Sequence, residues 1–115
     1  MTQDVPPETP LAGYATVWEF RVRSERREEF ERHYGLQGSW VDLFRQAAGY
    51  LGTELLRDRA DPLRYLTIDR WTGADAYRAF RTEFARPYAI LDAACEGLTT
   101  QEMAIGEYDL GSAPP

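Results

Sequence analysis

Apolar positions recur along this chain in two rhythms, one with period two and one with steps of three and four. Tyr14–Val22 (YATVWEFRV) is crowded with aromatic and β-branched residues and predicts a first strand. Residues 24–34 predict a charged helix. Ser24 suits its N-cap, Glu25 and Glu28 suit its first turn, and Phe30 and Tyr34 form a thin apolar side. Gly35 and Gly38 interrupt the pattern. Ser39 then caps a second short helical piece that places Trp40, Val41, Phe44 and Ala48 on one face, and Gly49 ends it. Residues 50–58 (YLGTELLRD) predict a second strand and Arg64–Trp71 (RYLTIDRW) a third. The turn between them is centred on Asp61-Pro62, and so short a connection implies an antiparallel hairpin.

The longest periodic pattern follows. Thr72 suits an N-cap, with Asp75 at the third helical position. Tyr77, Phe80, Phe84, Tyr88, Leu91, Cys95 and Leu98 then recur at steps of three or four and make one apolar stripe. Pro87 falls inside it and predicts a kink or restart there, and Gly97 marks the end. Residues 101–109 predict a fourth strand. The order strand, helix, strand, strand, helix, strand is the ferredoxin-like βαββαβ arrangement, an α+β fold with a four-stranded antiparallel sheet and its helices on one face. The domain spans residues 14–110, with a Pro-rich lead-in over 1–13 and a short tail over 111–115.

The strand pattern carries a further implication. A sheet with one wet face alternates cleanly between apolar and polar residues. Here Tyr14, Trp18, Phe20 and Val22 share one face of the first strand while Ala15 and Val17 share the other, and Leu66 and Ile68 oppose Tyr65 and Trp71 on the third. On the fourth, Met103 and Ile105 oppose Ala104 and Tyr108. Two helices cover one face only, so a homodimer packed sheet against sheet is expected.

Composition narrows the function. Of 115 residues, 43% are hydrophobic and 28% charged, which suits one globular domain. The net charge is −6, with all 13 basic residues arginine. That balance opposes binding to nucleic acid and to anionic membrane surfaces. No apolar run approaches the ~20 residues needed to span a bilayer, and the N-terminus lacks the pattern of a signal peptide, so a cytoplasmic location is expected. One cysteine, Cys95, and one histidine, His33, supply neither a disulfide framework nor an ordinary transition-metal site. Nucleotide-binding glycine motifs, a P-loop, HExxH and a nucleophile elbow are all absent, so no cofactor or metal is expected.

Candidate chemistry centres on the third strand. Thr67, Asp69 and Trp71 share a face by the two-residue period. If that face looks toward the helices, it meets Tyr77, Phe84 and Tyr88, with Trp18 joining from the first strand, in an aromatic cavity suited to a flat ligand. Core packing is the simpler reading of Tyr77 and Phe84 taken alone. For Trp71 with the hydroxyls of Thr67 and Tyr88 both readings stand, because buried Tyr and Trp need hydrogen-bond partners. His33 reads as a surface helical residue that becomes a general base only if the Gly35–Gly38 loop folds it over the sheet. Asp69 reads as an acid/base group if buried and otherwise as one half of an exposed salt bridge.

With its AGYLG (48–52) entry to the second strand and RYLTIDRW closing the third, the chain resembles the antibiotic biosynthesis monooxygenase family of dimeric α/β-barrel proteins, over residues 14–109. The resemblance implies a ligand cavity between sheet and helices. It also implies a cofactor-independent monooxygenase in which a deprotonated small aromatic, phenolic or quinol substrate itself reduces molecular oxygen. Trp71 and Tyr77 match the family's Trp and Tyr positions, whereas Thr67 stands where some members carry asparagine. Haem-degrading relatives use a histidine on the second helix, and none occurs between Gly73 and Gly97. The resemblance thus implies catalytic roles for Trp71 and Tyr77, with His33 or Asp69 removing the proton and Thr67, Phe84, Tyr88 and Trp18 lining the substrate site. A non-catalytic binding module and an isomerase of the same fold are the alternatives.

Overall fold

The computed structural model describes residues 13–111. Apart from Gly13 and Gly111, the lead-in and the tail lie outside the described residues. Four strands, β1 (Tyr14–Val22), β2 (Tyr50–Arg57), β3 (Arg64–Trp71) and β4 (Thr99–Asp109), form one antiparallel sheet in the order β2-β3-β1-β4. The helices are α1 (Arg27–Tyr34), α2 (Ser39–Phe44), α3 (Ala74–Glu83) and α4 (Ala85–Ala94). This is the expected ferredoxin-like α+β architecture. None of its helices is long and apolar enough to cross a membrane.

Register decides what each strand face meets. Trp18 pairs with Thr67, Thr16 with Asp69 and Phe20 with Tyr65 between β1 and β3, while Thr53 pairs with Asp69 and Leu55 with Thr67 between β2 and β3. Alternation then turns Tyr65, Thr67, Asp69 and Trp71 toward the helices, and all four are buried. The opposite face carries Val17, Leu66, Ile68 and Met103. It also carries charge: Arg64 bridges Glu19 at 2.7 Å and Asp58 at 2.9 Å, and Arg70 reaches Glu54 at 3.0 Å. This face has no helical cover.

The core is an aromatic layer in two groups. Phe20, Phe30, Tyr34 and Tyr65 cluster with centroid separations of 4.4–5.4 Å under α1. Trp71, Phe44, Phe80 and Tyr50 cluster at 5.1–5.6 Å under α2 and α3. Each buried ring removes on the order of 150–250 Å² from water, so this layer supplies most of the cohesion between sheet and helices.

Local capping departs from expectation. Ser24 begins a 3-10 turn (Ser24–Arg26) rather than capping an α-helix, and its hydroxyl turns to Glu25. Ser39 is the first residue of α2, not its cap, and its hydroxyl is 2.8 Å from His33 Nδ1. Gly73 takes the position before α3 that Thr72 and Asp75 were expected to cap, and the Thr72 amide donates to Gly49 O instead. Ala48 falls beyond α2 and is exposed. The helical break falls at Phe84, three residues before Pro87. The reason is geometric. A proline ring obstructs the carbonyl four residues earlier, here Glu83, and proline itself fits the first turn of α4, where amides lack intrahelical partners anyway.

Gly49 turns the chain from α2 into β2 with φ of +89°, and a Cβ there would lie 2.7 Å from Ala76 Cβ and 2.8 Å from Thr72 Oγ1. Gly73 has extended backbone and open space around it. In denaturant unfolding, Gly49→Ala is therefore expected to cost ~1–3 kcal/mol and Gly73→Ala close to nothing. Equal effects would contradict this account of the turn.

Candidate functional site

Between the two aromatic groups the layer does not close. A cavity of about 60 Å³ remains between the sheet and α2 and α4. A volume of that size admits several waters, and because the cavity is half open a larger ring can seat its edge there with the rest of the molecule toward the rim. Its floor is the helix-facing side of the sheet: Trp18 and Phe20 from β1, Thr53 from β2, and Thr67 and Asp69 from β3. Tyr34, Trp40, Val41, Phe44 and Tyr88 form its walls, and Asp92 and Glu102 complete the lining.

Asp69 is the unusual group. It is 8% exposed and stands among rings. The expected exposed salt bridge does not occur; no arginine among the described residues pairs with it, and its Oδ1 accepts a 2.7 Å hydrogen bond from Thr53 Oγ1. Tyr50 OH lies 2.6 Å from that same Thr53 oxygen. With Thr53 donating to Asp69, the Tyr50 hydroxyl is the donor to Thr53, and a chain Tyr50–Thr53–Asp69 results. Burial penalises the ionised form and pushes the Asp69 carboxyl up from 3.8 to about 6, against the opposing Thr53 hydrogen bond. A carboxylate with that affinity can hold or release a proton near neutral pH.

Two neighbours are also tuned. Burial pushes the Tyr88 hydroxyl up to about 12, although the Arg81 guanidinium, 4.0 Å over its ring, pulls the other way. Trp40 is 7% exposed, and its Nε1 makes no well-formed hydrogen bond among the described residues, although the Tyr34 hydroxyl and Cys95 Sγ are beside it. An unpaired buried donor costs about 1–3 kcal/mol unless something accepts from it.

The cavity gathers Trp18, Thr67, Asp69 and Tyr88 from the residues singled out in the sequence. It does not include Trp71, Tyr77, Phe84 or His33. Trp71 is fully buried behind Phe44 at 5.6 Å, with its Nε1 also unpartnered. Tyr77 packs on Trp71 at 5.5 Å, and its hydroxyl accepts a 3.0 Å hydrogen bond from Arg81. Phe84 stacks on Phe80. His33 is half-buried, held by Ser39 at the start of α2, and does not line the cavity. Thr53, Tyr50, Trp40 and Glu102 were not anticipated. The register of β2 against β3 brings Thr53 to Asp69, and strand periodicity alone carries no information on that pairing. Among the described residues, no group of three or more His, Cys, Asp and Glu side chains is placed to hold a metal ion.

The described residues thus form a ferredoxin-like α+β domain with an aromatic cavity and a buried carboxylate on the helix-facing side of its sheet. The model of the family described as antibiotic biosynthesis monooxygenase matches residues 13–84, more than half of the chain, and the protein belongs to that family. Its fold is similar to that of SnoaB, a cofactor-independent oxygenase from Streptomyces nogalater (TM-score 0.64, 22% identity, covering 90% of this chain and 98% of that one). It is similar also to a candidate antibiotic biosynthesis monooxygenase from Bordetella bronchiseptica (TM-score 0.70, 18% identity, 85% and 96% covered). A further candidate from Deinococcus radiodurans gives a TM-score of 0.69 at 18% identity, with 89% and 96% covered. No curated protein matches the sequence.

The Asp69 environment makes a stability prediction. The folded-state value lies above the unfolded one, so the group's stabilising contribution is complete below about pH 4 and is lost as pH rises through about 6. A shift of roughly two units corresponds to ~3 kcal/mol. Asp69→Asn should thus gain stability relative to the parent by up to ~3 kcal/mol between pH 4 and pH 8. A pH-independent difference between the two proteins would refute a buried, reluctantly ionised Asp69.

Proposed function

We propose that this protein is a cofactor-independent monooxygenase acting on a small aromatic phenol or quinol, with Asp69 as the proton acceptor. The observation that carries this reading is a carboxyl of raised proton affinity lining an aromatic cavity in a chain of this family. The ring of the substrate lies against Trp18 and Tyr88, and its hydroxyl faces Asp69 and Thr67. Proton transfer to Asp69 makes the ring electron-rich enough to give one electron to molecular oxygen. Carbon–oxygen bond formation then yields a ring peroxide that takes its proton back from Asp69, and the hydroperoxide loses the ring C–H proton and hydroxide as water to leave the quinone, so both oxygen atoms, the protons and all electrons are accounted for. The Tyr50–Thr53 chain orients Asp69. Trp71 and Tyr77 act from behind Phe44 and Tyr50 as positioning residues. His33, tied to Ser39 outside the cavity, has no part in this scheme.

The working unit in this proposal is a homodimer. The uncovered sheet face carries Val17, Leu66, Ile68 and Met103 beside its charge ladder, and Arg70 Nε is buried there without a partner. A second copy buries these residues through a two-fold interface. Sedimentation equilibrium should give a dimer at micromolar concentration and a monomer for Ile68→Glu; a monomeric parent protein would end the dimer proposal.

Oxygen uptake with a panel of phenols and quinols tests the chemistry. Asp69→Asn is expected to lower kcat by 10²–10⁴-fold. Thr53→Val removes the hydrogen bond that holds Asp69 down, so the acidic limb of the pH–rate profile should move upward. Product formation without oxygen would favour an isomerase instead, and full turnover by Asp69→Asn would exclude Asp69 as the base.

A further inference from the structure

The cavity contains no positive charge of its own. Of its twelve lining residues none is arginine, lysine or histidine, and three are acidic: Asp69, Asp92 and Glu102. Thirteen arginines are available to the chain, and Arg81 lies over the wall residue Tyr88, donates to Tyr77 OH and is drawn to Asp92. The acids are not neutralised by one another. Burial raises the Glu102 carboxyl above the usual carboxylate range and the charges of Asp92 and Glu96 raise it further, against the hydrogen bond it accepts from Thr99. The three lining carboxylates are also not grouped for a metal ion. Trp40 lines the same cavity and is more than nine-tenths buried, and its indole N–H makes no well-formed hydrogen bond among the described residues, although the Tyr34 hydroxyl and Cys95 Sγ lie beside it.

An aromatic box rimmed by carboxylates favours an organic cation, since the ring faces and the acids attract the same charge. An anionic ring would meet repulsion from Asp92 and Glu102 at the exposed rim, offset in part by Arg81 over the Tyr88 ring. The proposed reaction sharpens this point, because it develops negative charge on the ring and on oxygen in a cavity without a cationic side chain. A positive group on the substrate itself supplies the compensation.

Resting on the reading of this cavity as a substrate site, we propose that its ligand is a cationic phenol, with a protonated amine held at Asp92 and Glu102 and the phenolic ring between Trp18, Trp40 and Tyr88. The phenolic oxygen is then the donor to Asp69 on the cavity floor, and the ammonium lies toward the rim.

Three probes of nearly equal shape separate the charge from the ring: tyramine (cation), tyrosol (neutral) and 4-hydroxyphenylacetate (anion). Binding to the full chain is read at pH 7.5 by calorimetry and by quenching of tryptophan fluorescence. Tyramine should bind at least tenfold more tightly than tyrosol, and 4-hydroxyphenylacetate more weakly still. The double variant Asp92→Asn, Glu102→Gln should bring tyramine to the affinity of tyrosol while leaving tyrosol unchanged, and added salt should narrow the same gap. Equal affinities, a preference for the anion, or no binding by any of the three would overturn the proposal. A preference for tyramine that survives the double variant would overturn the assignment to the rim. Oxygen uptake is measured separately. Tight, rim-dependent tyramine binding without oxygen consumption would remove the oxygenase reading and keep the cationic ligand, whereas oxygen consumption that favours neutral or anionic phenols would do the reverse.

Discussion

The size of the side chains on one face of the sheet governs the rest of the molecule. Tyr65, Trp71, Trp18, Phe20 and Tyr14 stand toward the helices, and α2 and α4 answer with Trp40, Phe44 and Tyr88. Rings are rigid plates that tile a layer only approximately. Four helices of six to ten residues offer few small side chains to close the residual space. The same packing that holds α1, α2 and α3 to the sheet therefore leaves a gap, and into it β2 and β3 turn two hydroxyls and a carboxylate. Cohesion and cavity have one origin.

Much of this was legible in the residues. Strand β3 matches its expected limits because alternation, β-branching and flanking turn residues all agree there. The apolar stripe through Tyr77 and Leu98 marked the helix face correctly. Capping was read less well, since Ser24, Ser39 and Thr72 are competent caps in isolation and tertiary contacts use their groups otherwise. Asp69 looked like a surface acid because acidic residues are rarely buried without a cation. Only the pairing with Thr53 makes its burial tolerable, and cross-strand pairing is a property of register rather than of local sequence. In the sequence Trp40 shares an apolar helical face with Val41 and Phe44. That the face borders a gap follows only from the three-dimensional fit of its neighbours.

The distribution of charge separates the two sides of the sheet. On the uncovered side each acid meets an arginine: Glu19 and Asp58 at Arg64, Glu54 at Arg70, Asp61 at Arg21. Such exposed pairs contribute little singly, about 0–1 kcal/mol, but they keep that surface near neutral so that apolar strips between them can be covered. On the helix side the pairs Arg26–Glu29, Arg45–Asp42 and Arg78–Asp75 lie along the helices, while the cavity acids Asp69, Asp92 and Glu102 form no ion pair among the described residues. Electrostatic asymmetry of this kind costs stability and is sustained where it acts on something that enters.

The break at Phe84 divides what the apolar stripe joins. α3 anchors itself through buried Phe80, whereas α4 has no fully buried residue and rests on the core through Tyr88 and Leu91 alone. Yet α4 supplies Tyr88 and Asp92 to the cavity. The wall with the weakest hold on the interior is thus the one that stands between the buried carboxylate and bulk water. Passage into the cavity past Tyr88 and Asp92 would ask only a ten-residue segment to loosen, at little expense to the sheet beneath it.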